Sequence, residues 1–178
     1  MSVNQPKDPL VVTFSCSGQA VGKMRNDLDV RMVEPFEEKF TMATDEGPFH
    51  GGDATAPPPL ALFVGGLTGC IMTQLRAFAK RMDVKIDDLR VDTTVRWQWT
   101  PKGRIYETAP KSFDMDIFLD SPDDLSRQLA LVDAARRGCF VEQTLGQANR
   151  ITHRLKTENG FVPVDELDGA PGDAKGTG

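Results

Sequence analysis

A long apolar segment near the middle of the chain constrains the fold more than any other feature of this sequence. Residues 59–82, PLALFVGGLTGCIMTQLRAFAKRM, predict one helix about 36 Å long that begins at the last of three successive prolines. Apolar and small residues surround most of its first half, which indicates deeper burial than an ordinary amphipathic surface helix has. Gly65, Gly66 and Gly69 each weaken the helix by about 1 kcal/mol relative to alanine, and they allow another backbone to approach closely. The segment therefore predicts a tightly packed central helix.

The segments around this helix have the alternation that is typical of strands. Apolar and polar residues alternate over residues 89–99 and 113–119, and further strands are predicted over residues 10–14, 36–43 and 151–155. Gly18 and Gly22 punctuate a predicted N-terminal hairpin.

A second helix is predicted to begin at Ser121-Pro122, with Ser121 as its capping residue. Its predicted buried residues are Leu125, Leu129, Val132 and Ala135. A break at Gly138 then leads into a short helical piece. This order of elements predicts an α+β domain over residues 1–163, followed by a disordered tail over residues 164–178. Because the glycine-lined helix needs more cover than 178 residues provide, a tightly packed homodimer is predicted.

Charge and composition narrow the classes of function. The net charge is −5, and the last fifteen residues contribute −3 of it through four acids and one lysine. No basic patch stands out, so nucleic acid is not an expected partner. The first ten residues lack the layout of a signal peptide, and polar residues interrupt the apolar helix, so we expect a cytoplasmic protein and no membrane partner.

Two cysteines are the residues of this chain with the greatest capacity for chemical reaction. Cys70 lies in the apolar helix, and Cys139 follows Gly138 at a predicted helix end, where the start of the next helix would lower the pKa of its thiol. A buried helical cysteine is more often a small apolar residue than a reactive one, so both interpretations stay open for Cys70. The third, Cys16, lies on a predicted strand and is interpreted as structural.

Four segments of the chain resemble the OsmC/Ohr family of osmotically induced and organic-hydroperoxide-resistance proteins. They are DEGPFHGG over residues 45–52, the helix segment GGLTGC ending at Cys70, KRMDVKIDDLRVDTTV over residues 80–95, and AARRGCFVEQTL around Cys139. The resemblance implies an OsmC-like fold in which antiparallel sheets wrap around central helices of an intertwined homodimer. It departs from the family at Phe140, where the family typically has proline after the cysteine.

The resemblance also implies a thiol-dependent peroxidase that reduces organic hydroperoxides. Cys70 would attack the peroxide and become a sulfenic acid, Cys139 would resolve it as a disulfide, and a lipoyl or thioredoxin-like dithiol would reduce that disulfide. No cofactor or metal is implied. An apolar pocket would suit bulky hydroperoxides, and its predicted lining is Phe63, Leu67 and Met72, with His50 at its mouth.

The peroxidase members also use an arginine beside the thiolate and a glutamate that holds the arginine. Leu60 and Ala61 occupy the place of that glutamate, and the role does not transfer to Asp45, Glu46 or Asp53 nearby. For the arginine the candidates are Arg25 and Arg31, of which Arg25 is preferred.

The missing acid leaves a second hypothesis open, a non-catalytic member that binds a small apolar ligand at the dimer interface.

His153 is interpreted as a core or interface histidine, and Trp97 and Trp99 as core or interface packing. The spacing of the cysteines and histidines matches no structural zinc pattern.

Overall fold

The structure, a computed structural model, describes residues 8–164. It combines strands β1 (Thr13–Val21), β2 (Arg25–Glu34) and β3 (Glu38–Thr44) with helix α1 (Pro59–Met82) and strands β4 (Asp88–Lys102) and β5 (Ile105–Asp120). Helices α2 (Leu125–Gly138) and α3 (Phe140–Leu145) follow, then strands β6 (Arg154–Thr157) and β7 (Gly160–Pro163). The α+β class is confirmed. Of the tail predicted over residues 164–178, only Val164 lies within the described residues.

The chain forms three antiparallel sheets, and the first of them has a connected set of apolar residues on one face. β1, β2 and β3 lie in sequential order, with Val30 opposite both Cys16 and Phe40. Since residues directly opposite in antiparallel strands share a face, one face of this sheet carries a connected apolar set. Its members are Phe14, Cys16, Leu28, Val30, Met32, Phe40 and Met42. The predicted hairpin turns at Gly22, whose φ of +70° favours glycine.

The second sheet is a long hairpin of β4 and β5, and the third pairs β6 with β7. β4 and β5 extend beyond the strands predicted over residues 89–99 and 113–119, because residues 100–110 also pair, and they turn at Gly103 with a φ of +62°. The last strand pair begins at Arg154, three residues later than predicted.

The core of the described chain lies where α1 packs on α2, α3 and β4. Every fourth residue of α1 contributes to it, so that Leu67, Ile71, Leu75 and Ala79 are all buried. Leu131, Ala135 and Cys139 cover this stripe from the second helical region. The predicted span of α1 is confirmed, and its C-terminal turn ends at Asp83 in the left-handed conformation.

The predictions for α2 are partly wrong. Asp124 caps the helix instead of Ser121, because its carboxylate accepts the Arg127 N–H at 3.0 Å. Leu125 and Leu129 are 68% and 59% exposed, while Leu131 and Ala135 face α1. The later start leaves the first turn of α2 outside the helix packing.

By length and composition α1 is sufficient to cross a membrane, and it is the one helix of this kind within residues 8–164. Core helices of globular proteins meet the same criteria, so the length of α1 is weak support for a membrane span.

Candidate functional site

Cys70 occupies the middle of α1, one residue before the buried stripe. Its side chain is partly buried and packs against the core cluster that includes Cys139. The thiol is free.

Cys139 ends α2 and begins α3, and its side chain is fully buried. Gly138 makes this position possible, because a Cβ there would come within 2.5 Å of the Phe78 ring on α1. The glycine therefore allows the end of α2 to approach α1 closely enough to set Cys139 beside Cys70.

Cys139 and Cys70 lie within reach of each other. The Cys70 side chain packs against the cluster that contains Cys139 and interacts with its thiol, and neither cysteine takes part in a disulfide. This arrangement makes the two thiols candidates for a redox pair.

The electrostatics of Cys139 differ from the sequence prediction. Burial raises the pKa of its thiol to about 11, and the neighbouring Cys70 side chain acts in the same direction. The amides of Glu142 and Val141 at the start of α3 lower that pKa, as predicted for a helix start, but burial outweighs them. Cys139 is therefore a thiol at neutral pH, and the prediction of a lowered pKa is wrong.

Arg25 begins β2 and lies beside the loop that leads into α1. Its Nε donates to the Asp27 carboxylate at 2.9 Å, and its Nη1 donates to the Thr55 hydroxyl at 3.0 Å and to the Thr55 carbonyl at 3.3 Å. Cys70 is the twelfth residue of α1, about 16 Å along the axis from its first residue. Within the described chain, these polar contacts link Arg25 to its own strand and to the loop before α1, and not to Cys70.

Sequence reasoning missed the residues that hold this loop. Asp45 is 2% exposed, and its carboxylate accepts the Thr55 N–H at 2.9 Å, the Thr55 hydroxyl at 2.7 Å and the Glu46 N–H at 2.9 Å. These bonds lower the pKa of Asp45, so it is ionised. Asp45 and Thr55 are ten residues apart in a loop rich in glycine and proline. Such a spacing follows no periodic pattern, so the sequence did not reveal the pair.

The residues predicted to line a pocket fall into two environments. Leu67 is buried and Met72 packs against the core, whereas the Phe63 ring contacts Trp97 and Phe113 with centroids 6.1 and 6.4 Å apart. His50 stacks on Trp99, with ring centroids 5.7 Å apart. Their role as pocket residues stays a prediction.

The remaining candidates lie apart from the cysteine pair. Cys16 is exposed on β1. Arg31 lies opposite Lys39 in the register of β2 and β3. His153 precedes β6 instead of lying on a strand. Among residues 8–164, no group of three or more His, Cys, Asp or Glu side chains is arranged to hold a metal ion.

Similar proteins share both the sequence and the fold. The OsmC-like protein family matches residues 51–154. An OsmC-like hydroperoxide resistance protein of Jannaschia sp. CCS1 is 60% identical, with a TM-score of 0.60, and the match covers 85% of this chain and 97% of that one. No curated protein matches the chain.

More distant solved structures share the fold. An organic hydroperoxide resistance protein of Legionella pneumophila matches at 16% identity and TM-score 0.53, over 75% of this chain and 88% of that one. An OsmC-like protein of Mycoplasma pneumoniae matches at 16% identity and TM-score 0.53, over 80% and 91%. The family match over more than half of the chain, together with the 60% identical structure, shows that this chain belongs to the OsmC-like family.

Proposed function

We propose that the protein is a thiol-dependent peroxidase that reduces organic hydroperoxides through Cys70 and Cys139. The observation that carries the proposal is the packing of two free cysteines from separate helical segments in one core cluster, Cys70 partly buried and Cys139 fully buried. Membership of a family with hydroperoxide resistance proteins supports the substrate class.

The first step is attack by the Cys70 thiolate on one peroxide oxygen. The S–O bond forms as the O–O bond breaks, Cys70 becomes a sulfenic acid, and the alkoxide leaves and takes up a proton to become the alcohol. Cys139 remains protonated at neutral pH because its pKa is about 11, so it can donate its hydrogen bond to the Cys70 thiolate. We assign the thiolate role to Cys70, the less buried cysteine of the two.

The second step is condensation between the two cysteines. The Cys139 sulfur attacks the sulfenic acid, an S–S bond forms, and water leaves with the Cys139 proton. A lipoyl or thioredoxin-like dithiol then reduces this disulfide by thiol–disulfide exchange and is itself oxidised. The packing of the two cysteines in one cluster in the reduced state supports this step.

We further propose that the protein acts as a homodimer in the cytoplasm. The apolar face of the β1–β3 sheet has no extensive helix packing within the described chain, and Phe14 and Phe40 on it are 54% and 37% exposed. A second copy would cover this face and the exposed first turn of α1. In that arrangement Arg25 would serve Cys70 of the partner subunit, since its contacts in its own chain are at the start of α1.

The alternative is a non-catalytic protein that binds a small apolar ligand at the dimer interface. It is favoured by the absence of an acid in the first turn of α1 and by the aromatic group of Phe63, Trp97 and Phe113, in which Phe113 is exposed. These three aromatic residues lie on α1 and on the β4–β5 hairpin. Together they offer an apolar surface without reactive groups.

Steady-state turnover separates the two functions. With dihydrolipoamide as reductant, the protein should consume cumene hydroperoxide, and hydrogen peroxide more slowly, because the thiol lies in an apolar environment. Consumption no faster than that of the buffer with reductant alone would contradict the peroxidase and leave the ligand-binding alternative.

A further inference from the structure

Arg25 is held by two acceptors that approach its guanidinium from different elements. Asp27, two residues further along the same strand, accepts a hydrogen bond from Nε. Thr55, in the loop before α1, accepts one from Nη1. An arginine held at two different nitrogens has its plane and direction fixed, unlike an arginine paired at one point.

The hydroxyl of Thr55 has a defined orientation. It donates its one hydrogen to Asp45 at 2.7 Å, so it can meet Arg25 only as an acceptor. The Thr55 amide donates to the same carboxylate oxygen at 2.9 Å. A buried carboxylate, a hydroxyl and a guanidinium therefore form one chain of hydrogen bonds.

The loop that carries this chain is closely packed. A Cβ at Gly52 would lie 1.9 Å from the Glu46 carbonyl oxygen, so the loop can close around Asp45 only with glycine there. Asp45 is the buried acid of the loop, whereas Asp53 is exposed and pairs with Lys23 at 2.7 Å. An exposed pair of this kind contributes little to order.

We propose that Asp27 and the Asp45–Thr55 pair are positioning residues that hold Arg25 in the orientation required to stabilise the Cys70 thiolate. The inference rests on the proposed peroxidase function. The first turn of α1 contains no acidic residue, so within this chain it supplies no carboxylate to the arginine. The strand and the loop supply the acceptors instead.

The test is the second-order rate constant for oxidation of Cys70 by cumene hydroperoxide, measured by stopped flow on the full chain. Asp27→Asn and Thr55→Val should each lower it by about tenfold, because each removes one acceptor of a charge-assisted hydrogen bond. Both should also move the reactive thiol's pH profile upward, since a less well-placed cation stabilises the thiolate less.

Three controls separate positioning from general damage. Thr55→Ser keeps the hydroxyl and should restore the rate, while Asp53→Asn and Thr41→Val, in the same loop and the same sheet, should leave the rate and the pH profile unchanged. In an Arg25→Met background, Thr55→Val should cause no further loss, because its effect acts through the arginine.

The outcomes distinguish this inference from the function on which it rests. A wild-type protein that does not react with the peroxide overturns both. A reactive wild type that is slowed by Arg25→Met but not by Asp27→Asn or Thr55→Val overturns the positioning roles alone. Equal slowing by Thr55→Val with and without Arg25 also overturns them.

Discussion

The helical region, α1 to α3, contains a buried core, whereas the N-terminal sheet, β1 to β3, contributes little to the core of the described chain. Leu75, Leu131 and Cys139 in the helical region have no exposed surface, although other apolar residues there, such as Leu125, are exposed. Phe14 and Phe36, in and beside the sheet, are more than half exposed. The two thiols lie in or against this core, and the candidate cation Arg25 belongs to the sheet. One chain therefore places its two thiols by its own packing, while the place of Arg25 depends on what covers the sheet.

The largest effect is expected from the cysteines of the helical region. Cys70→Ser should abolish peroxide turnover, because it removes the nucleophile. Cys139→Ser should allow one oxidation and then accumulate a sulfenic acid at Cys70, detected with a dimedone probe and mass spectrometry. Cys16→Ser, in the exposed sheet, is the matched control and should retain full turnover. Full activity in Cys70→Ser would refute the proposed roles.

A mixed dimer tests whether the sheet of one subunit serves the thiol of the other. Cys70→Ser should be inactive and Arg25→Met slower by about 100-fold, because each lacks one half of the thiolate site. After the two variants are unfolded together and refolded, about a quarter of the wild-type activity should return, since half of the dimers are mixed and each has one intact site. Activity that does not rise above the average of the two parents would place Arg25 beside Cys70 of its own chain.

Truncation of apolar residues should affect the two regions differently. Leu75→Ala should lower the free energy of unfolding by about 3 kcal/mol, because it leaves a cavity between α1 and α2. Phe40→Ala should have a smaller effect that depends on protein concentration, because it weakens the cover between subunits. Chemical denaturation at two protein concentrations measures both. An effect of Phe40→Ala that does not depend on concentration would contradict the dimer at this face.

The smallest effect is a pH dependence of stability. Cys139 holds its proton more tightly in the folded state than in the unfolded state. The contribution of its protonated thiol to the free energy of unfolding is therefore fully present below about pH 9, and it is lost as the pH rises toward about 11. The wild type should therefore lose on the order of 1 kcal/mol more than Cys139→Ala across this interval. Unfolding titrations at pH 8 and pH 10.5 measure the difference, and parallel losses in both proteins would show that burial does not hold the proton.

The helix α1 was predictable because its signals are local. Prolines mark its start, Lys80 and Arg81 lie in its last turn, and a four-residue apolar spacing marks its buried face. The buried face of α2 was not, since Leu125 and Leu131 are equally apolar and only the packing partner selects between them. The capping residue was also ambiguous, with Ser121 and Asp124 both suitable by residue type.

The candidate site was predictable as a pair of cysteines and not as an electrostatic environment. The motifs around Cys70 and Cys139 indicated which residues meet, but the pKa of Cys139 depends on burial between two helices that are distant in sequence. The link from Asp45 through Thr55 to Arg25 depends on the folding of a loop against a strand. Such contacts leave no pattern in the sequence.

The proposed function requires Cys70 and Cys139 to form a working redox pair. Disulfide mapping by mass spectrometry, after the fully reduced protein receives one equivalent of cumene hydroperoxide, tests this requirement. We expect rapid loss of two hydrogen atoms and a disulfide that joins Cys70 to Cys139, with Cys16 still a free thiol. Three free thiols after minutes, or a disulfide through Cys16, would show that the two cysteines are not such a pair.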